Sequence, residues 1–123
     1  MLFPIGIAYQ AMSRSTAIRS AMEHREKIFI YGTLADPEVQ QRVWGRTTDG
    51  LSDMLKGYKR SQIEIEGEVY PLIISDPNSR VSGSVIEITE HELRKADEYE
   101  TDAYRREKVT LESGVSAWVY VKK

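Results

Sequence analysis

The stretch Asp97-Glu98-Tyr99-Glu100-Thr101-Asp102-Ala103-Tyr104-Arg105-Arg106 gathers acidic, basic and phenolic side chains that could converge on one reaction. It falls where a helix is expected to end and a strand to begin. At about 100° per residue, Leu93, Ala96 and Glu100 share one helix face. Leu93 and Ala96 mark that face as inward. A carboxylate carried inward is paired, neutralised or working. If it works, desolvation raises its pKa toward neutrality, which suits a group that takes and returns a proton. The structural alternative is a helix-end carboxylate held by Lys95, Arg105 or Arg106, and spacing alone weighs the two equally.

A second candidate is Tyr31-Gly32-Thr33-Leu34. Gly32 permits a sharp turn and leaves the N–H groups of Thr33 and Leu34 uncovered just ahead of a helix. Such amides hold carboxylates or oxyanions. Asp36, as helix cap, shares that positive end. Tyr31 and Tyr104 either orient a bound polar group or are core aromatics with their hydroxyls at the surface. Arg106 is expected to pair with a carboxylate, of the protein or of a ligand. Asp97 and Glu98 are expected to face solvent or cap locally. Trp118 and Tyr120 fit strand packing.

The elements that must position these residues follow from the pattern. Lys27-Ile28-Phe29-Ile30-Tyr31 reads as a core strand buried on both faces. Asp36 and Pro37 open a helix that presents Val39, Val43 and Trp44 and stops at Gly45. Strands are expected near Met54–Tyr58, Gln62–Glu66, Val69–Ile74 and Val81–Ile88. Pro71 suggests an edge or a break, and Gly83 a bulge or a close backbone approach. Ser75-Asp76-Pro77-Asn78-Ser79 has the chemistry of a loop. Thr89-Glu90-His91-Glu92 is a capping box for a helix running to about Glu100. Lys108–Leu111 and Val115–Val121 form a closing hairpin. Seven strands at most and two principal helices, in the order βαββββαββ, predict an α+β domain. Its sheet should be mixed, mainly antiparallel and curled into a small barrel-like shape.

The chain has 123 residues, enough for one domain over 26–123. Residues 1–25 read as an N-terminal extension, ill-ordered or else a short helix over Ser13–Met22 that covers a sheet edge or a partner. With 17 basic and 19 acidic residues spread evenly, nothing points to nucleic acid or an anionic membrane. No run is long enough to span a bilayer, and the apolar start lacks a basic segment before it. No cysteine is present, which removes disulfides and thiol nucleophiles and fits a reducing, cytoplasmic setting. With only His24 and His91, a His/Cys zinc site and a histidine triad are both disfavoured. No metal site is expected.

FIYGTLADPEVQQRVWGR (29–46) resembles the opening of the gamma-glutamylcyclotransferase-like family, which carries YGTL or a close variant. ADEYETDAYRR (96–106) resembles its second signature, and YPLI (70–73), the Val81–Ile88 strand and AWVYV (117–121) fit its intermediate and closing pattern. The resemblance spans roughly residues 27 to 121. It implies that Glu100 is the catalytic acid/base, that Tyr31, Gly32, Thr33 and Leu34 bind substrate, and that Tyr104 lines the same cavity, with Arg106 beside them. It implies intramolecular cyclotransfer on a small gamma-glutamyl substrate, without cofactor, releasing 5-oxoproline and an amine or amino acid. Two other expectations stand beside it. One is a non-catalytic module of the same fold that binds a small carboxylated or amine-bearing metabolite. The other is an interaction protein that uses its N-terminal extension. Thr101 departs from the family, where glycine is common. Oligomeric state and the group attached to the gamma-glutamyl unit are not legible in the sequence.

Overall fold

The computed structural model describes residues 25–123. The extension expected over residues 1–25 therefore lies, apart from Arg25, outside the described residues.

Strand β1 is Arg25–Ile30. Ile28, Phe29 and Ile30 are all buried, as a strand covered on both faces requires. Side chains alternate between the two faces of a strand. Ile28 and Ile30 accordingly join one core with Ile86, Ile88, Leu93 and Ala96. Phe29 joins a second with Leu55, Ile73, Val81 and Val119. Helices α1 (Pro37–Trp44) and α2 (Glu90–Glu100) cover the first core.

Both helices start and stop where their caps dictate. The Asp36 carboxylate accepts the Glu38 N–H at 2.9 Å, Pro37 follows it, and Gly45 ends α1 at φ +83°. At α2 the reciprocal box is complete. Glu92 N–H donates to Thr89 Oγ1 at 3.1 Å, and Thr89 N–H donates to Glu92 Oε1 at 2.9 Å. Arg46 then grips Glu92 with two hydrogen bonds of 2.7 and 2.8 Å, which fastens the end of α1 to the start of α2.

The sheet has five strands in the order β2-β3-β1-β5-β4, where β2 is Leu51–Ile65, β3 Glu68–Thr89, β4 Tyr104–Thr110 and β5 Ser116–Lys122. β1 and β5 are parallel and the other pairs antiparallel, so the sheet is mixed. It curls into a half-barrel, as the pattern predicted. Five strands replace the expected seven because two pairs of runs are continuous. The turn residues Asp76–Ser79 do not end β3. Asp76 collects the Asn78 N–H and the Ser79 hydroxyl, each at 3.0 Å, and the register shifts where Gly57 sits at φ +87°. Lys56 pairs with Arg80 and Tyr58 with Ser75, so the turn is a bulge in a long hairpin. Glu66 and Gly67, at φ +51° and +82°, close that hairpin in two residues.

Pro71 lies in the outer half of the hairpin, where β3 pairs with β2 alone because β1 reaches only Ser84. Gly83 is the close approach foreseen. A Cβ there would stand 2.5 Å from the Ile30 carbonyl oxygen and 2.6 Å from Phe29 Cζ. No helix among the described residues is long and apolar enough to cross a membrane.

Candidate active site

A cavity of about 350 Å³ opens between the end of β1, the hairpin arm and the end of α2. It brings together Tyr31, Gly32, Thr33, Leu34, Glu100 and Tyr104, residues far apart in sequence. Glu100 arrives there by helix phase. Leu93 and Ala96 are buried on the same face, and Glu100 follows them inward at the last residue of α2. Among the described residues that line the cavity, Glu100 is the sole carboxylate, and no lysine, arginine or histidine accompanies it. Burial without a cationic partner pushes its pKa from the ordinary 4.5 up to about 7. The alternative of a helix-end carboxylate held by Lys95, Arg105 or Arg106 is not what the structure has. Arg105 pairs with Glu107, and Arg106 with Asp97.

The opposite wall is the β1–α1 connection. Thr33–Ala35 is a single 3-10 turn after Gly32. Its first hydrogen bonds come from Ala35 N–H to Gly32 O and Asp36 N–H to Thr33 O, both 3.0 Å. The N–H groups of Thr33 and Leu34 thus precede the turn's own bonding. Gly32 has a steric reason to be glycine, since a Cβ would press on Pro71 Cγ at 3.3 Å.

Four ties hold this wall. The Tyr31 hydroxyl donates to Tyr120 O at 2.7 Å, and the Tyr99 hydroxyl donates to Thr33 Oγ1 at 3.0 Å. Arg60 donates to Tyr31 O at 2.8 Å and to Ser82 O at 2.7 Å, bracing the wall against the hairpin. Gln40 is 3% exposed, donates to Leu34 O at 2.8 Å and accepts Thr48 N–H at 2.9 Å. On the far side the Tyr104 hydroxyl donates to Pro71 O at 2.6 Å. Burial, with Glu100 nearby, raises the pKa values of Tyr31 and Tyr104, so both phenols stay neutral donors.

Arg106 is not brought to this cavity. It lies in a neighbouring shallow depression with Trp118, at whose ring its guanidinium stacks 4.4 Å from the centroid. β4 begins at Tyr104, earlier than expected: Tyr104, at the strand's first residue, reaches the cavity, and Arg106, two residues further along the same face, is taken up by Asp97. Asp97 was expected to face solvent or cap locally and Tyr120 to serve strand packing. Instead the Tyr120 hydroxyl donates to Asp97 at 2.7 Å, and Tyr120 lines the cavity. The signal for Asp97 was its place three residues before Glu100, on the same helix face. Gln40 was detectable in the same way, three and four residues before Val43 and Trp44. Arg60 had no local signal, because its partners come from other elements. Among the described residues no cluster of three or more acidic or histidine side chains could hold a metal ion.

Thr101 follows Glu100 at φ +59°, ψ −158°, a region that glycine occupies almost alone. A β-branched residue is strained there. Thr101→Gly should therefore stabilise the protein by about 1 kcal/mol, the relief of strain exceeding the added chain entropy of the unfolded state. Urea melts of the two proteins measure it.

Comparison with known proteins identifies the family and the fold. The model of the family described as gamma-glutamyl cyclotransferase, AIG2-like, matches residues 28–123. AIG2-like protein C of Arabidopsis thaliana is 39% identical over 85 residues, covering 68% of this chain and 48% of that protein. Protein AIG2 C of the same plant is 35% identical over 86 residues, covering 69% and 50%. The chain thus spans about half the length of these curated relatives. A solution structure of an Arabidopsis thaliana protein, 30% identical, superposes with a TM-score of 0.69 over 80% of this chain and 62% of that one. A solved gamma-glutamyl cyclotransferase, 16% identical, shares the fold with a TM-score of 0.65 over 81% of this chain and 68% of its own. A match from Ile28 to the last residue, over the strand, turn and helix that build the cavity, leaves one conclusion: the chain belongs to the AIG2-like gamma-glutamyl cyclotransferase family.

Proposed function

We propose that the protein converts a gamma-glutamyl amide into 5-oxoproline and a free amine, with Glu100 as the general acid/base. The observation that carries this reading is the Glu100 carboxylate, turned into the cavity without a cationic partner and titrating near neutrality, at about 7. The substrate brings the missing cation. Its α-ammonium meets Glu100, and its α-carboxylate and γ-carbonyl lie toward the N–H groups of Thr33 and Leu34 and the phenols of Tyr31 and Tyr104. Glu100 accepts a proton from the α-ammonium. The freed amine attacks the γ-carbonyl carbon of the same molecule, and the carbonyl oxygen becomes an oxyanion that the N–H groups of Thr33 and Leu34 stabilise. As that oxygen reforms its double bond, the bond to the departing nitrogen breaks. Glu100 returns its proton to that nitrogen. It then takes the surplus proton from the new ring nitrogen and passes it to the freed amine, so that 5-oxoproline and an ammonium leave and the carboxylate is restored. Confinement in the folded-back conformation supplies much of the rate.

The base must be ionised when substrate arrives. Activity, as kcat/KM, should therefore rise with pH through about 7 and level off above it. A flat profile from pH 5 to 8 contradicts the assignment. The test of the function is a panel of gamma-glutamyl amino acids, peptides and amines incubated with the protein, with 5-oxoproline and free amine quantified together. The expected result is equimolar release from at least one compound. Saturable binding without product across the panel replaces this reading with a binding module.

A further inference from the structure

Arg106 stands outside the cavity, but its contacts lead into it. Its Nε and Nη2 donate to the two oxygens of Asp97 at 2.6 and 3.0 Å. The Tyr120 hydroxyl donates to the same carboxylate at 2.7 Å. Asp97 lies one turn before Glu100 on α2, and its backbone carbonyl accepts the N–H of Thr101. The carbonyl of Tyr120 in turn accepts the Tyr31 hydroxyl at 2.7 Å. One carboxylate thus joins the last turn of α2 to β4 and β5, across the short turn Thr101–Ala103.

Two features of α2 call for such a tie. Asp97, Glu98 and Glu100 crowd its C-terminal end with no basic residue in the last turn, where the helix dipole disfavours negative charge. Thr101 leaves the helix at φ +59°, a conformation that persists only where its surroundings over-determine it. We propose that Arg106 is a positioning residue: through Asp97 it clamps the last turn of α2 so that the Glu100 carboxylate stays turned into the cavity. The proposal rests on the reading of Glu100 as the acid/base.

The groups that face Glu100 are the phenols of Tyr31 just after β1, Tyr104 from β4 and Tyr120 from β5, with Tyr99 on α2 and Tyr70 on β3 along the same wall. Asp97 and Arg106 are the ionised pair behind them. Removing Arg106 therefore has two separable consequences of opposite sign. By charge alone, loss of the cation and exposure of the Asp97 anion raise the pKa of Glu100. Loss of the clamp lets Glu100 turn toward water, which lowers the pKa toward the ordinary 4.5.

The experiment is Arg106→Gln in the full chain, with the Glu100 carboxyl followed by ¹³C NMR titration and with kcat and KM measured on a gamma-glutamyl compound that the parent turns over. The expected result is a lower Glu100 pKa than in the parent, a kcat reduced about ten- to a hundredfold, and a KM changed by less than about twofold. An unchanged or raised Glu100 pKa overturns the clamp. So does a raised KM with kcat retained, which would make Arg106 a substrate contact. Arg106→Lys keeps the charge but loses the two-pronged grip, and it carries the test if the glutamine variant does not fold. It should shift both readouts in the same direction by less, and parent-like values overturn the proposal. The titration needs no turnover. A parent that releases no 5-oxoproline sinks the proposed function, while the titration still decides the clamp.

Discussion

Glu100→Gln should lower 5-oxoproline release by about a thousandfold while leaving the fold intact. Glutamine fills the same space and lines the same cavity, but it can neither take the ammonium proton nor return one to the departing nitrogen. Loss of activity through unfolding is a separate outcome, and the pKa of Glu100 distinguishes it. The group ionises near 4.5 in the unfolded chain and at about 7 in the folded one. The folded state holds the proton more tightly, so this group's contribution favours folding below about 4.5. That contribution is lost as pH rises from about 4.5 to about 7 and stays lost above it. A glutamine cannot ionise. At pH 8 the variant should be more stable than the parent by about 2 kcal/mol, and at pH 4 the two should be nearly equal. Urea melts at the two pH values measure this. A variant less stable at pH 8 would mean that the carboxylate is held by a favourable partner and not merely desolvated.

Gly83→Ala should cost about 3 kcal/mol or more and reduce activity as well. The added methyl would meet the Ile30 carbonyl oxygen at 2.5 Å, and backbone cannot swing aside as a side chain can. It would also meet the ring of Phe29, which is buried in the second core. Relief requires β3 to draw back from β1 where Tyr31 and Gly32 leave the sheet. The Arg60 bonds to Tyr31 and Ser82 span that same gap, so the cavity wall would shift with the strand. Thermal melting together with the 5-oxoproline assay checks the pair of effects. A variant that melts with the parent would show that the two strands tolerate more separation than their hydrogen bonds allow.

Local chemistry made much of this fold readable. The caps at Asp36 and Thr89 and the stop at Gly45 each act through near neighbours, and each sits where its residue type requires. The inward face of Glu100 followed from helix phase alone. The strand count failed where a turn motif met an extended partner. Asp76–Ser79 has true turn chemistry, but the pairing of β2 with β3 continues past it, and only the partner strand decides between a loop and a bulge.

At the candidate site the cavity residues share a signature, but their supports do not. Arg106 has the right type and stands near the right glutamate in sequence. Its destination was set by Asp97, a residue that the chain pattern assigned to solvent or to a local cap. Tyr120 looked like packing because its hydroxyl finds its partner 23 residues away, on another element. Arg60 reaches the carbonyl of Tyr31 across 29 residues, and the Tyr31 hydroxyl reaches that of Tyr120 across 89. Such ties depend on sheet order, and sheet order depends on contacts that no short window of sequence contains.

The most direct measurement is mass spectrometry of the products formed in ¹⁸O-enriched water. The protein is incubated with the gamma-glutamyl compound on which it is most active. Ring closure by the substrate's own amine brings no oxygen from water, so the predicted product is unlabelled 5-oxoproline, equimolar with the free amine. Glutamate carrying one ¹⁸O in its γ-carboxylate would mean that water, and not the α-amine, attacks the carbonyl, and would contradict the account.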